Sequence, residues 1–161
     1  MTFLAIALVL WMMLVVPPLG RVARLGTVRD RARIAIGLAF VFGGVMHFAA
    51  PDRYLPMMPP WLPWHLGLIY VSGFFEIAGG VSLLVPRLAR PAAIGLVALL
   101  LAIFPANIHA ALTGGQAVGM PSAPWYLWAR LPFQFVYIAW LLLTMPRPAG
   151  SPRRPGATAS V

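Results

Sequence analysis

Residues 66–85 read LGLIYVSGFFEIAGGVSLLV, an apolar run with one carboxylate and no other charge. A hydrocarbon core about 30 Å thick is crossed by roughly 20 apolar helical residues. The run therefore predicts a membrane span, and everything else in the chain is read from it. Glu76 stands ten residues beyond Leu66, about 15 Å along a helix rising 1.5 Å per residue, so near the midplane. Ser72, Gly73, Gly79 and Gly80 sit at i−4, i−3, i+3 and i+4 and share its face. Small residues let a second helix come close, so Glu76 is expected to face protein. An ionisable residue inside a span is a functional hypothesis by default. The alternative is a neutral buried glutamic acid that bonds a neighbouring helix and fixes the packing.

Working outward, four further apolar stretches have similar length: Thr2–Leu19, Ile34–Ala50, Pro91–Leu112 and Trp125–Met145. Backbone groups in lipid must be satisfied within their own segment, which leaves helices as the spanning structure. The predicted fold class is an all-α membrane bundle of about five transmembrane helices. Composition agrees: 61% of the 161 residues are hydrophobic and 9% charged, against about 25% charged in a soluble domain. The first stretch has no positive charge before it and no small-x-small cleavage site after it, so it reads as an uncleaved span.

The formal charge is +9, from twelve arginines against Asp30, Asp52 and Glu76, with no lysine. Such a balance can mark a nucleic-acid binder. Here the arginines cluster at the ends of apolar runs, which is the pattern of membrane orientation, and no nucleic acid is expected. Five lie in Arg21–Arg33, two at Arg87 and Arg90, and three at Arg147, Arg153 and Arg154; the opposite loops hold only Arg53. The bias puts those clusters in the cytoplasm, with the N-terminus outside and the C-terminus inside a cell inner (plasma) membrane. The absence of cysteine excludes disulfides and thiolate metal sites. The outer loop Pro51–His65, with five prolines, cannot form a regular helix. It is expected to lie flat as a lid, with Trp61, Trp64 and His65 at the headgroup level.

Arg130 stands five residues into the last span, with Gln134 at i+4 and Tyr137 at i+7 continuing one stripe downward. It is the expected partner of Glu76, unless its long stem carries the charge out to the headgroups. His47 follows Gly43 and Gly44 on a close-packed face, and His109 follows Pro105. Asn107 is two residues from His109 and points away from it on a regular helix, so both face one cavity only if Pro105 distorts that turn. The candidate site is thus His47, Glu76, Asn107, His109, Arg130 and Gln134, a polar cavity in the outer half with Glu76 as proton-handling group. No H-x-x-H or H-x-x-x-H pair exists, so neither a metal site nor haem ligation is expected.

The stretches RIAIGLAFVFGGVMHFAAPDRYLP, SGFFEIAGGVSLLVPR, FPANIHAAL and RLPFQ, in this order, resemble the DoxX-like family of small multi-pass membrane proteins. The family takes its name from a membrane subunit of an archaeal thiosulfate:quinone oxidoreductase. The resemblance implies a four-helix unit over 33–145. An extra N-terminal helix and Arg-rich cytoplasmic loop (1–32) then precede it, and a disordered cytoplasmic tail (146–161) follows. It also implies a link to respiratory or oxidative chemistry and a larger membrane oxidoreductase complex as partner, without implying catalysis by this chain. A quinone, not covalently held, is the expected small molecule: it needs an apolar slot, donors to its carbonyl oxygens and a protonatable group. The alternatives are a non-catalytic assembly factor for a larger membrane complex and, less favoured without an inverted repeat, a small-molecule transporter.

Overall fold

The computed structural model describes residues 27–114 and 124–146. The span expected at Thr2–Leu19, the tail and most of the loop before the last span lie outside the described residues. Four long helices run through the rest: α1 (Val28–Ala49), α2 (His65–Leu84), α3 (Ala89–Thr113) and α4 (Pro124–Thr144). All four are long and apolar enough to cross a membrane. No strand occurs among the described residues. Each helix packs on the next in sequence, and α4 returns to pack on α1, so the four close into a ring.

The start of α1 is set by a capping box. Thr27 Oγ1 accepts the Asp30 backbone N–H (3.3 Å), while Asp30 Oδ2 accepts that of Thr27 (2.9 Å), which satisfies two donors that a helix start leaves open. Asp30 also receives Arg33 Nη2 at 3.1 Å. The helix therefore begins six residues before the apolar run and carries a buried arginine within its first turns. Trp140 Nε1 donates to the Ala32 carbonyl (3.0 Å) and ties α4 to this end.

Between α1 and α2 the seam is glycine against glycine. A Cβ at Gly80 would lie 2.6 Å from the Gly37 carbonyl oxygen, and one at Gly44 would lie 2.6 Å from that of Gly73. The two pairs sit seven residues apart on both antiparallel strands of the seam, so the backbones touch twice along one line. Ile36, Phe40, Leu83, Ala93, Leu96, Leu100 and Leu141 fill the end of the bundle nearest the arginine clusters. Large apolar side chains such as Phe42, Phe74, Leu101 and Leu143 point outward. In water such a surface would mark an interface; around a bundle of this length it is a lipid-facing belt.

At the other end, the proline-rich segment does more than lie flat. It forms two short 3-10 turns, Pro51–Arg53 and Leu55–Met57, and drives Met57 and Pro59 into the bundle. His65 is the first residue of α2, where its Nε2 donates to the Pro59 carbonyl (2.9 Å) and closes the loop on itself. Trp64 takes a left-handed backbone (φ 59°) and lays its indole over Gly67, where a Cβ would lie 2.1 Å from the ring. Trp61 and Trp64 are both exposed.

Candidate functional site

A cavity of about 430 Å³ opens beneath this loop. α2 and α3 form its side walls, the segment from Tyr54 to Leu62 its roof, and His47 of α1 and Arg130 of α4 its back. A volume of this size is in the range of small-molecule sites, roughly 300–1,000 Å³. Most of the lining is aliphatic, aromatic or methionine; the polar groups are His47, Tyr54, Ser72, Glu76, Asn107 and Arg130.

Glu76 is 8% exposed and lines the cavity. Its place follows from the glycines flanking it: a Cβ at Gly44 of α1 would lie 3.0 Å from the Glu76 Cβ, so α1 closes one side of the residue. Among the described residues no hydrogen bond reaches the Glu76 carboxyl. The carboxyl opens on the cavity, where a polar group of a bound molecule could reach it.

Among the described residues no salt bridge joins Glu76 and Arg130, the pair expected from the sequence. Arg130 instead donates through Nη1 to Met57 Sδ (3.2 Å) and through Nη2 to Asn107 Oδ1 (3.4 Å). The physical reason is geometric: Asn107 and the inserted Met57 lie nearer the start of α4 than the midplane carboxyl does. Asn107 Nδ2 in turn donates to Gln134 Oε1 (2.8 Å), and Gln134 Nε2 donates to the Leu100 carbonyl. Arginine, asparagine, glutamine and backbone thus form a chain of donors running one way. It ends one residue from Leu101, whose carbonyl loses its helical donor at Pro105. Gln134 is fully enclosed and supports Asn107 from behind rather than lining the cavity.

His47 meets α2 at Ser72. The Ser72 hydroxyl donates to the Ile69 carbonyl at 2.9 Å. Its one proton is then engaged, so the 3.3 Å contact with His47 Nδ1 is assigned as the imidazole N–H donating to Ser72 Oγ. That tautomer leaves Nε2 as an acceptor. The Tyr54 ring stands edge-on to the imidazole, with centroids 4.2 Å apart. Burial raises the Tyr54 phenol above its ordinary value of 10, the Glu76 carboxylate adds to the rise, and Arg130 and Arg53 oppose it. Tyr54 therefore lies within electrostatic reach of both the carboxylate and the guanidinium.

Of the six candidate residues, the cavity brings together His47, Glu76, Asn107 and Arg130. Gln134 stands behind them. His109 does not join them: α3 continues through Pro105 as a helix, so the two-residue step from Asn107 turns His109 to another face. Tyr54 and Met57 are the members that sequence reasoning missed. Their only signal was the cluster of prolines, which excludes a helix without saying where the loop goes.

These features define a class, a closed helical bundle apolar enough to cross a membrane, with a polar cavity roofed by a proline-rich loop. A family model described as Domain of unknown function (DUF8561) matches residues 36–145, and the chain belongs to that family. No curated protein and no solved structure matches it.

Proposed function

We propose that this protein binds a small redox molecule of the quinone type in the cavity, in the outer half of an inner-membrane bundle. The observation that carries the reading is the Glu76 carboxyl, buried and without a hydrogen-bond partner among the described residues, on the wall of an otherwise apolar chamber. A quinone carbonyl accepts hydrogen bonds and its reduced hydroxyl donates them. Arg130 is a donor that is always charged, His47 Nε2 an acceptor, and Glu76 a group able to hold or release a proton. An apolar chamber with few convergent polar groups is what a planar, partly apolar ring requires. The likeness to DoxX-like proteins supports a respiratory or oxidative setting beside a larger membrane oxidoreductase. The arginine bias supports a cytoplasmic C-terminus and a cavity on the outer side.

The test is titration of the purified protein with a short-chain benzoquinone, following tryptophan fluorescence, since Trp61 adjoins Leu62 of the cavity roof. His47→Ala and Arg130→Ala each remove one hydrogen-bonding group, worth about 1–3 kcal/mol when its partner is buried. That is roughly 5- to 150-fold in affinity. If the wild type gives no saturable response and no quinone extracts with it, the assembly-factor reading replaces this one.

A further inference from the structure

The roof and walls of the cavity differ in how they meet the surroundings. The roof is closed at Met57 and Pro59: Met57 is buried and bonded to Arg130, Pro59 is fully enclosed, and His65 holds the Pro59 carbonyl. The floor is sealed as well, because Gly79 of α2 lies against Leu96 of α3, where a Cβ would come within 2.6 Å of the leucine side chain. The side between α2 and α3 is not. Val71, Phe75 and Ala102 line the cavity and are also exposed on the outer surface of the bundle. A residue that faces both inside and outside marks a mouth.

The position of this mouth decides what passes through it. Phe75 is the eleventh residue of the 20-residue α2, about 15 Å from the helix end at 1.5 Å per residue. Ala102 stands at the middle of α3. Around them the outer surface is Phe74, Leu101 and Val71, with no charged side chain. The opening therefore meets hydrocarbon and not water.

We propose that the cavity is loaded sideways from the bilayer, through the gap between α2 and α3, by an amphiphile whose polar ring enters while its hydrocarbon tail stays in lipid. This rests on the reading of the cavity as a ligand site and names the class of ligand: one dissolved in the membrane, not delivered from the aqueous phase. The ring comes to rest between Glu76, Tyr54 and Arg130, and the tail leaves past Phe75 and Ala102.

The experiment uses the full chain in lipid nanodiscs and two probes, a benzoquinone with a ten-carbon tail and the same ring with a methyl group in its place. Binding is followed by tryptophan quenching against the mole fraction of probe in lipid. Ala102→Trp plugs the mouth from a lipid-facing position. It should weaken the tailed probe by about tenfold or more, what losing contact with roughly two methylenes costs. The tailless ring should change by less than about threefold, within the loss of a single methylene contact. Phe75→Ala, also on the outer face, widens the mouth and should speed exchange of the tailed probe. It decides the matter if the first variant does not fold. If wild type binds both probes and the variants treat them alike, the tail does not lie in the gap between α2 and α3 and the proposal is wrong. If wild type binds neither probe saturably, the ligand reading of the cavity falls first, and this inference with it.

Discussion

Replacing Gly80 with alanine adds one methyl group at the tightest line of the bundle. Its Cβ would sit 2.6 Å from the Gly37 carbonyl oxygen and 2.9 Å from the Val41 backbone nitrogen. Both obstacles are backbone, so no rotamer change relieves them and α1 must move away from α2. Overpacking of this kind costs about 1–3 kcal/mol, and a rigid obstacle on the facing helix places Gly80→Ala toward the upper part of that range. Against it stands the gain from removing glycine from a helix interior, roughly 0.5–1 kcal/mol, leaving a net loss of about 1–2 kcal/mol. Gly95→Ala in α3 is the matched control, because nothing lies within 4 Å of its added Cβ. It keeps the propensity gain alone and should be stabilising by about 0.5–1 kcal/mol. The two variants carry the same chemical change and should differ by roughly 2–3 kcal/mol, a factor of about 30–140 in the folded ratio. Thermal unfolding in a mild detergent, read by tryptophan fluorescence, resolves that gap. Equal midpoints for the two variants would refute the argument that backbone contact at the α1–α2 seam holds the bundle.

Further outcomes can be measured in the same preparations. Asn107→Ala should lower stability by about 1–3 kcal/mol, because it strips partners from Arg130 and from the enclosed Gln134. Gln134→Leu combined with it should be less than additive, since both act on one chain of bonds. Tyr54 should ionise above pH 10, read as the tyrosinate absorbance lost in Tyr54→Phe. Glu76→Gln removes a charge that raises it, so Tyr54 should then ionise at lower pH than in wild type. No difference between the two backgrounds would mean that carboxylate and phenol do not face each other. Reporter fusions should place the C-terminus in the cytoplasm and the loop before α4 outside; the reverse would turn the cavity toward the cytoplasm.

The four described spans were legible because their length is dictated by lipid thickness, a constraint stronger than any local propensity. The burial of Glu76 was legible for a similar reason: glycines on its own face could only mean a neighbouring backbone. The pairing inside the cavity was not. Periodicity places Arg130 and Gln134 on one stripe, but it does not say that Asn107 of another helix will stand between them and take both bonds. His109 shows the limit from the other side, since the assumption that Pro105 would redirect it was a guess about backbone distortion, and the helix runs on. The roof was least legible, because a proline-rich loop follows contacts that lie far away in sequence, here Met57 against Arg130.

The double glycine contact between α1 and α2 has a consequence for motion. Gly37 faces Gly80 and Gly44 faces Gly73, like two scales with the same spacing that agree at a single offset. Sliding one helix by a turn, about 5.4 Å, would set side chains against both glycine positions at once, so the pair has one register and no neighbouring one to visit. His47 and Ser72 are carried by these two helices, and their separation is fixed by a contact that involves neither of them. Any breathing of the cavity must then come from α3, α4 and the loop, while the α1–α2 pair serves as the fixed jaw against which they move.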